Sequence, residues 1–265
     1  MTERPEMLAN VRADRVKKVA ALSGRSARSR HGQFLVEGPG AVSELVVYAP
    51  QLVRDLYVAE DLADDLTVRA AQADGLWVHL CSRDVIDAMS RDAQGIIAVA
   101  RIPEPVGLDV LDGARLAVLL PRASDPGNLG TLIRIADAAG ADAVVVCSGS
   151  AEITSPKVVR ATTGSLFHLP VVAGVSFADT ADAARRAGLA VLAADGGGAL
   201  DVLSAEPWLR EPTAWVFGNE AHGISADELA LCDATASIPI FGKAESLNVA
   251  AAAAVCLYAS ATAQR

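Results

Sequence analysis

Three short segments place polar side chains of catalytic type between apolar runs and helical patterns: DPGNLGTLIRIADAAG (Asp125–Gly140), WVFGNEAHGIS (Trp215–Ser225) and SIPIFGKAESLNVAAAAAV (Ser237–Val255). They hold an amide and a guanidinium (Asn128, Arg134), a carboxylate (Glu220), and a hydroxyl with a second amide (Ser246, Asn248). A guanidinium stays protonated in proteins, so Arg134 can stabilise a developing anion but cannot take up a proton, whereas Glu220 can. Gly130, Arg134 and Asp137 share one helix face by their i, i+4, i+7 spacing, opposite Leu129, Leu132, Ile133 and Ala136. That spacing leaves two readings open, a surface ion pair with Asp137 or a cation kept for a substrate. Gly218 permits close backbone approach to a ligand. Ser225 with Glu228 spells a capping box, a structural role, and His222 reads as an exposed loop histidine. Ser246 is the predicted N-cap of the last helix. Asp195-Gly196-Gly197-Gly198 follows an apolar run and suits a ligand loop or a tight turn equally.

The elements that must position these residues fall into two segments. Residues 1–103 read as a small α/β domain. Helices are expected over Leu8–Leu22, Gly40–Ala49 and Ser82–Ser90, the last capped by Ser82, with strands at Phe34–Val36, Leu52–Val58, Trp77–Leu80 and Ile96–Ala100. Two prolines in the stretch IPEPVG (Ile102–Gly107) mark a linker over 104–114. From 115 to 265 apolar runs alternate with helical patterns. Strands are expected at Leu116–Leu120, Ala143–Cys147, Leu189–Ala194, Ala214–Phe217 and Thr235–Ile240, and helices near 128–139, 155–163, 178–187, 226–232 and 247–260. Continuous apolar strands alternating with helices predict an α/β domain with a mainly parallel sheet.

The chain has 265 residues and is 52% hydrophobic, ample for a buried core. Its four cysteines are scattered without a CxxC pair, which argues against a disulfide framework or a zinc site and predicts a reducing, cytoplasmic setting. No basic start followed by an apolar stretch predicts a secretory signal, and the longest apolar run, Val249–Ala259, is too short to span a bilayer. Net charge is −9, yet the first 34 residues carry eight Lys/Arg against three acids. A basic N-terminal stretch on an acidic body suits local phosphate contact or a solubilising terminus.

Together the three segments resemble motifs 1, 2 and 3 of the SpoU/TrmH family of S-adenosylmethionine-dependent RNA 2′-O-ribose methyltransferases, within the SPOUT class. The resemblance spans roughly Leu116–Ala261 and implies a mainly parallel α/β sheet closed by a trefoil knot, a topology that pattern alone never licenses. It implies Asn128, Arg134, Glu220, Ser246 and Asn248 as catalytic residues. It places the cofactor against Asp195, Gly196, Gly198, Phe217, Gly218, Asn219, Ile238, Ser246 and Leu247. SPKVVRATTG (Ser155–Gly164) resembles the family's segment with an arginine that contacts RNA phosphate, which implies Arg160, with Thr162 in place of the more usual serine, as RNA contacts. HGQFLVEG (His31–Gly38) is similar to the opening of a ribosomal-protein-L30e-like substrate-binding domain, which implies Arg25, Arg28 and Arg30 as phosphate contacts. Such a front end points to ribosomal RNA rather than tRNA, as in rRNA-directed members such as the thiostrepton-resistance type. The class further implies a homodimer through the C-terminal domain, with no metal. A non-catalytic RNA-binding protein on the same fold is the main rival reading. An enzyme on another nucleotide cofactor is disfavoured, because no GxGxxG follows a strand.

Overall fold

The computed structural model describes residues 7–204, 207–219 and 222–265. They divide into two compact units, Met1–Glu104 with Ile153–Phe167, and Pro105–Glu152 with His168–Arg265.

In the first unit, β1 (Gln33–Glu37), β2 (Val53–Ala59), β3 (Val78–Cys81) and β4 (Ile96–Arg101) form one sheet in the order β1-β4-β2-β3. β4 runs antiparallel to β1 and β2, while β3 is parallel to β2. Alternate residues feed two separate cores, as a period-two backbone requires. Phe34, Val36, Leu56 and Val58 join one with α3 (Pro39–Tyr48) and α4 (Leu66–Ala73). Leu35, Tyr57, Ile97 and Val99 join the other with α1 (Asp14–Ala21) and α5 (Arg83–Met89). The segment Ile153–Phe167 adds α7 (Pro156–Thr162), which follows α6 (Pro126–Ala139) of the other unit in chain order and packs Val159 into the first of these cores. Gly164 is required here. With φ +103° it lies against Glu44 of α3, whose side chain an added Cβ would meet at 2.4 Å.

Local departures from the expected elements have identifiable causes. The helix expected over Leu8–Leu22 begins only at Asp14, because Leu8 bridges to Cys81: its N–H donates to Leu80 O at 2.8 Å, and Ser82 N–H donates to Leu8 O at 3.0 Å. Ser82 does precede α5, but its hydroxyl is buried without a hydrogen-bond partner among the described residues and does not cap the helix. α2 (Arg25–His31) has no apolar periodicity to announce it and ends on Gly32 in the left-handed region.

In the second unit, β5 (Leu116–Leu120), β6 (Ala143–Cys147), β7 (Val171–Val175), β8 (Ala190–Ala194), β9 (Leu200–Asp201), β10 (Thr213–Val216) and β11 (Ala234–Ser237) form a parallel sheet in the order β7-β6-β5-β10-β8-β11-β9. β5, β6 and β10 are buried throughout, as apolar strands covered on both faces must be. α8 (Phe177–Arg186) packs Phe177, Ala181 and Ala184 into one core. α10 (Val249–Gln264) packs on α6 and β10, and its Ser260 hydroxyl accepts from Trp215 Nε1 at 2.9 Å, satisfying a fully buried indole. α9 (Ala226–Leu229) completes the set. β11 stops at Ser237, short of the expected Ile240; Pro239 cannot donate to a ladder.

Burial pushes the thiols of Cys81, Cys147 and Cys232 up to about 11 and that of Cys256 to about 12. At pH 8 a thiol at about 11 is roughly 0.1% thiolate, so none is poised as a nucleophile. Iodoacetamide at pH 8 is therefore expected to leave the native protein essentially unlabelled and to modify all four cysteines in urea. Rapid native labelling of any one of them, read by mass spectrometry, would contradict this burial.

Candidate active site

The carboxyl ends of β8, β10 and β11 open into a cavity of about 550 Å³. Ligands of open parallel sheets bind at this end of the strands, and the volume suits a small organic molecule. Three loops form it: 195–198 after β8, the described residues 217–219 and 223 after β10, and 238–248 between β11 and α10.

In the first loop, the Asp195 carboxylate accepts from Gly197 N–H at 2.9 Å, and Gly198 N–H donates to Asp195 O at 2.9 Å. Asp195 and Gly196 line the cavity; Gly198 does not. Gly198 instead lies flat on β11, where an added Cβ would sit 2.4 Å from the Ala236 carbonyl carbon. Backbone cannot yield as a flexible side chain would, so Gly198→Ala must displace the loop. A loss of at least about tenfold in cofactor affinity with the melting temperature little changed is expected by calorimetry; unchanged affinity would mean the loop plays no part in binding.

In the second loop, Phe217, Gly218 and Asn219 line the cavity. An added Cβ at Gly218 would lie 2.5 Å from the Gly223 carbonyl carbon, so this glycine serves the loop's own tight fold as well as ligand approach. Asn219 and Gly223 exchange backbone hydrogen bonds at 2.9 and 2.8 Å. The Asn219 amide donates to Ser124 Oγ at 2.8 Å and Arg122 O at 3.3 Å, tying this loop to the one that opens α6. The Ser225–Glu228 capping box forms as expected. Glu220 lies outside the described residues.

In the third loop, Ile238, Ser246, Leu247 and Asn248 line the cavity. The expectation that Ser246 caps the last helix is corrected. Asn248 is the N-cap, its amide oxygen accepting from Ala250 N–H at 2.9 Å and Ala251 N–H at 3.4 Å. An asparagine cap serves as well as a serine, and the shift leaves the Ser246 hydroxyl exposed on the cavity wall. Glu245 and Ile240 also line it, neither singled out from the sequence. Glu245 directly precedes Ser246, and its carboxylate with that of Asp195 gives the cavity two negative groups suited to a cationic ligand.

Asn128 and Arg134 stand on α6 outside this lining. Asp125 caps α6 by accepting from Asn128 N–H at 2.8 Å, and Gly140 ends it at φ +75°. Arg134 is exposed, and the surface pairing with Asp137 is not what forms. Asp137 instead meets His168 Nδ1 at 2.7 Å.

Of the residues expected to touch RNA, Arg25 and Arg30 are exposed. Arg28 is 3% exposed and donates to Leu22 O at 3.1 Å and Ser23 O at 2.7 Å, fastening the turn between α1 and α2. Thr162 is 0% exposed and its hydroxyl donates to Val159 O at 2.7 Å. These two present no surface to a phosphate, and their expected role as direct contacts is replaced by a structural one. Arg160 pairs with Glu37 and, at 3.0 Å, with Asp92. Among the described residues no cluster of His, Cys, Asp and Glu could hold a metal, and no helix is long and apolar enough to cross a membrane.

A parallel sheet with three loops closing one cavity at its carboxyl end defines a small-molecule-binding α/β enzyme domain. The chain belongs to the SpoU rRNA methylase family, whose model matches residues 115–258; residues 13–98 match an MRM3-like substrate binding domain. It is 33% identical to the 23S rRNA (guanosine(2553)-2′-O)-methyltransferase RlmP of Bacillus subtilis, over 96% of this chain and 98% of that one. It is 35% identical to a 23S rRNA (uridine(2479)-2′-O)-methyltransferase of Streptomyces viridochromogenes, over 90% and 86% of the two chains. Among solved structures it resembles the SpoU methyltransferase AviRb from the same Streptomyces in complex with the cofactor AdoMet, with a TM-score of 0.82 and 33% identity over 94% of this chain and 98% of that one.

Proposed function

We infer that this protein is an S-adenosylmethionine-dependent RNA 2′-O-ribose methyltransferase acting on ribosomal RNA. The observation that carries the reading is the convergence of the loops after β8, after β10 and between β11 and α10 on one cavity in a chain of the SpoU family. The residues present fit the cofactor: Ile238, Ile240 and Leu247 offer apolar walls, backbone at Gly196 and Gly218 permits close approach, and Asp195 and Glu245 face a cation. The cofactor supplies a methyl group on a positively charged sulfur, already a strong donor.

The protein's part is therefore positioning and electrostatics. A ribose 2′-hydroxyl must shed its proton as the oxygen becomes a nucleophile. Arg134, permanently charged, stabilises the developing oxyanion, and Asn128, Ser246 and Asn248 orient the ribose. The proton goes to a neighbouring RNA phosphate or to Glu220. Residues 115–265 serve as the catalytic domain, residues 1–103 as the RNA substrate-binding domain, and 104–114 as the linker, with Arg25 and Arg30 as phosphate contacts. The quoted relatives act on a guanosine and on a uridine at similar identity to this chain, so the shared scaffold does not set the target base.

The working unit is a cytoplasmic homodimer joined through the C-terminal domain, whose 238–248 loop is drawn into the trefoil knot of the class. Arg134 lies outside the cavity lining of a single chain, while Phe241, next in sequence to the lining residue Ile240, is 89% exposed and leaves apolar surface for a second copy to cover. Sedimentation at micromolar concentration should give the dimer mass; an active monomer would refute it.

The deciding experiment is transfer of labelled methyl from S-adenosylmethionine to 23S rRNA and, separately, to tRNA. Label in the 23S pool that maps to a ribose 2′-oxygen is the expected result. Label only in tRNA would overturn the substrate, and none in either pool, with the cofactor bound, would overturn the activity.

A further inference from the structure

A second cavity, of about 650 Å³, lies wholly within the first unit. The sheet topology creates it. Because β4 opposes its neighbours, the starts of β1, β2 and β3 and the end of β4 gather at one end of the sheet, beside α1. That end presents Arg54, Trp77 and Arg101, and α1 adds Arg15 and Lys18. Four permanent cations thus face one carboxylate, Asp55, in a protein of net charge −9.

The floor is held in place by a polar chain. His79 Nε2 donates to Asp55 at 2.8 Å, so its Nδ1 is the acceptor for an Arg15 N–H at 3.4 Å. Arg54 lies 3.5 Å from the same carboxylate. The His79 ring stacks on Tyr57 with centroids 5.0 Å apart, and Arg101 donates to Gln51 O at 3.0 Å. Asp55 is thus engaged from two sides, and the outward character of the cleft is cationic.

Trp77 stands in this cleft 72% exposed. An indole left in water contributes nothing to the core, and here it shares the lining of a preformed cavity with four cations. An acidic peptide would answer the charge but not the flat apolar face. Unpaired RNA answers both, with phosphates for the cations and a base for the ring.

We propose that this cleft grips an unpaired stretch of the RNA substrate, one base stacked on Trp77 and the flanking phosphates held by Arg15, Lys18, Arg54 and Arg101. The proposal rests on the RNA-directed reading above and adds to it a site on the substrate-binding unit, remote in sequence from the motif residues.

The test uses the full chain and a 12-nucleotide single-stranded RNA of mixed sequence, read by tryptophan fluorescence and by anisotropy of a labelled strand. Trp215 is buried and Trp208 half-buried, so quenching on titration reports Trp77. Trp77→Ala should weaken binding about tenfold and abolish most of the quench, while Trp77→Phe should stay within about threefold of the parent. Arg54→Gln with Arg101→Gln should flatten the slope of log affinity against log salt by up to about 1.4. Trp77 is solvent-facing, so its variants should melt with the parent. Binding and quench unaltered in Trp77→Ala would overturn the proposal, as would poly-L-glutamate competing as well as RNA. Methyl transfer by the parent chain separates the two readings. If 23S rRNA is methylated with an unchanged KM in Trp77→Ala, the cleft is overturned and the enzyme reading stands. If Trp77 is quenched by RNA but no RNA is methylated, the cleft stands and the enzyme reading falls.

Discussion

Arg134→Lys is expected to lose about 10²- to 10³-fold in methyl transfer while binding S-adenosylmethionine within about twofold of the parent. Lysine keeps the charge, so a pure field effect would survive the change. It loses the planar fork of donors that can hold an oxyanion and a neighbouring phosphate together. Arg134 lies outside the lining of the cavity proposed for the cofactor, so its removal should leave cofactor affinity alone and act on turnover. Its exposure on α6 also makes global unfolding a poor explanation for a lost rate. Single-turnover transfer to 23S rRNA beside calorimetry of cofactor binding measures both quantities. Equal activity of the lysine variant would remove Arg134 from the chemistry, and a parallel collapse of cofactor affinity would reassign it to binding.

Much of the second unit was legible because β5, β6 and β10 are buried throughout and α6 and α8 carry side-chain caps. β5, β6 and the body of α6 stand where the pattern puts them. β7 escaped because it is only partly buried and carries Gly174, and β9 because it is two residues long. The loops around the cavity were legible as motifs, yet their physical logic was not. That Gly198 is needed against Ala236, or that Asn219 fastens one motif loop to another, depends on neighbours distant in sequence. The basic cleft was invisible for the same reason. Arg15, Arg54, Trp77 and Arg101 come from four elements, and only the antiparallel return of β4 brings them to one end of the sheet. Arg28, which the L30e-like resemblance offers as a phosphate contact, turns its guanidinium to the backbone carbonyls of Leu22 and Ser23, partners that the sequence does not reveal.

Arg160 poses the same question, and its removal is expected to destabilise the first unit by roughly 1–3 kcal/mol. Its guanidinium pairs with Glu37, which is buried at the end of β1, and with the more exposed Asp92 at 3.0 Å. Arg160→Ala leaves the Glu37 carboxylate in a poorly solvated place without its partner, the costly half of a buried ion pair. The loss falls short of the roughly 3–5 kcal/mol typical of a fully buried pair, since the guanidinium is itself a third exposed and partly screened. Urea denaturation gives the stability of the single variant. Glu37→Gln in the same chain separates the two roles the residue could have. A neutral amide no longer needs the cation, so Arg160→Ala with Glu37→Gln should recover much of the lost stability. A direct phosphate contact would not be restored by that second change. RNA affinity that returns with stability in the double variant makes Arg160 a strut between β1 and α7. RNA affinity that stays low once the fold is restored would make it a ligand of the RNA after all, released from Glu37 when the substrate arrives.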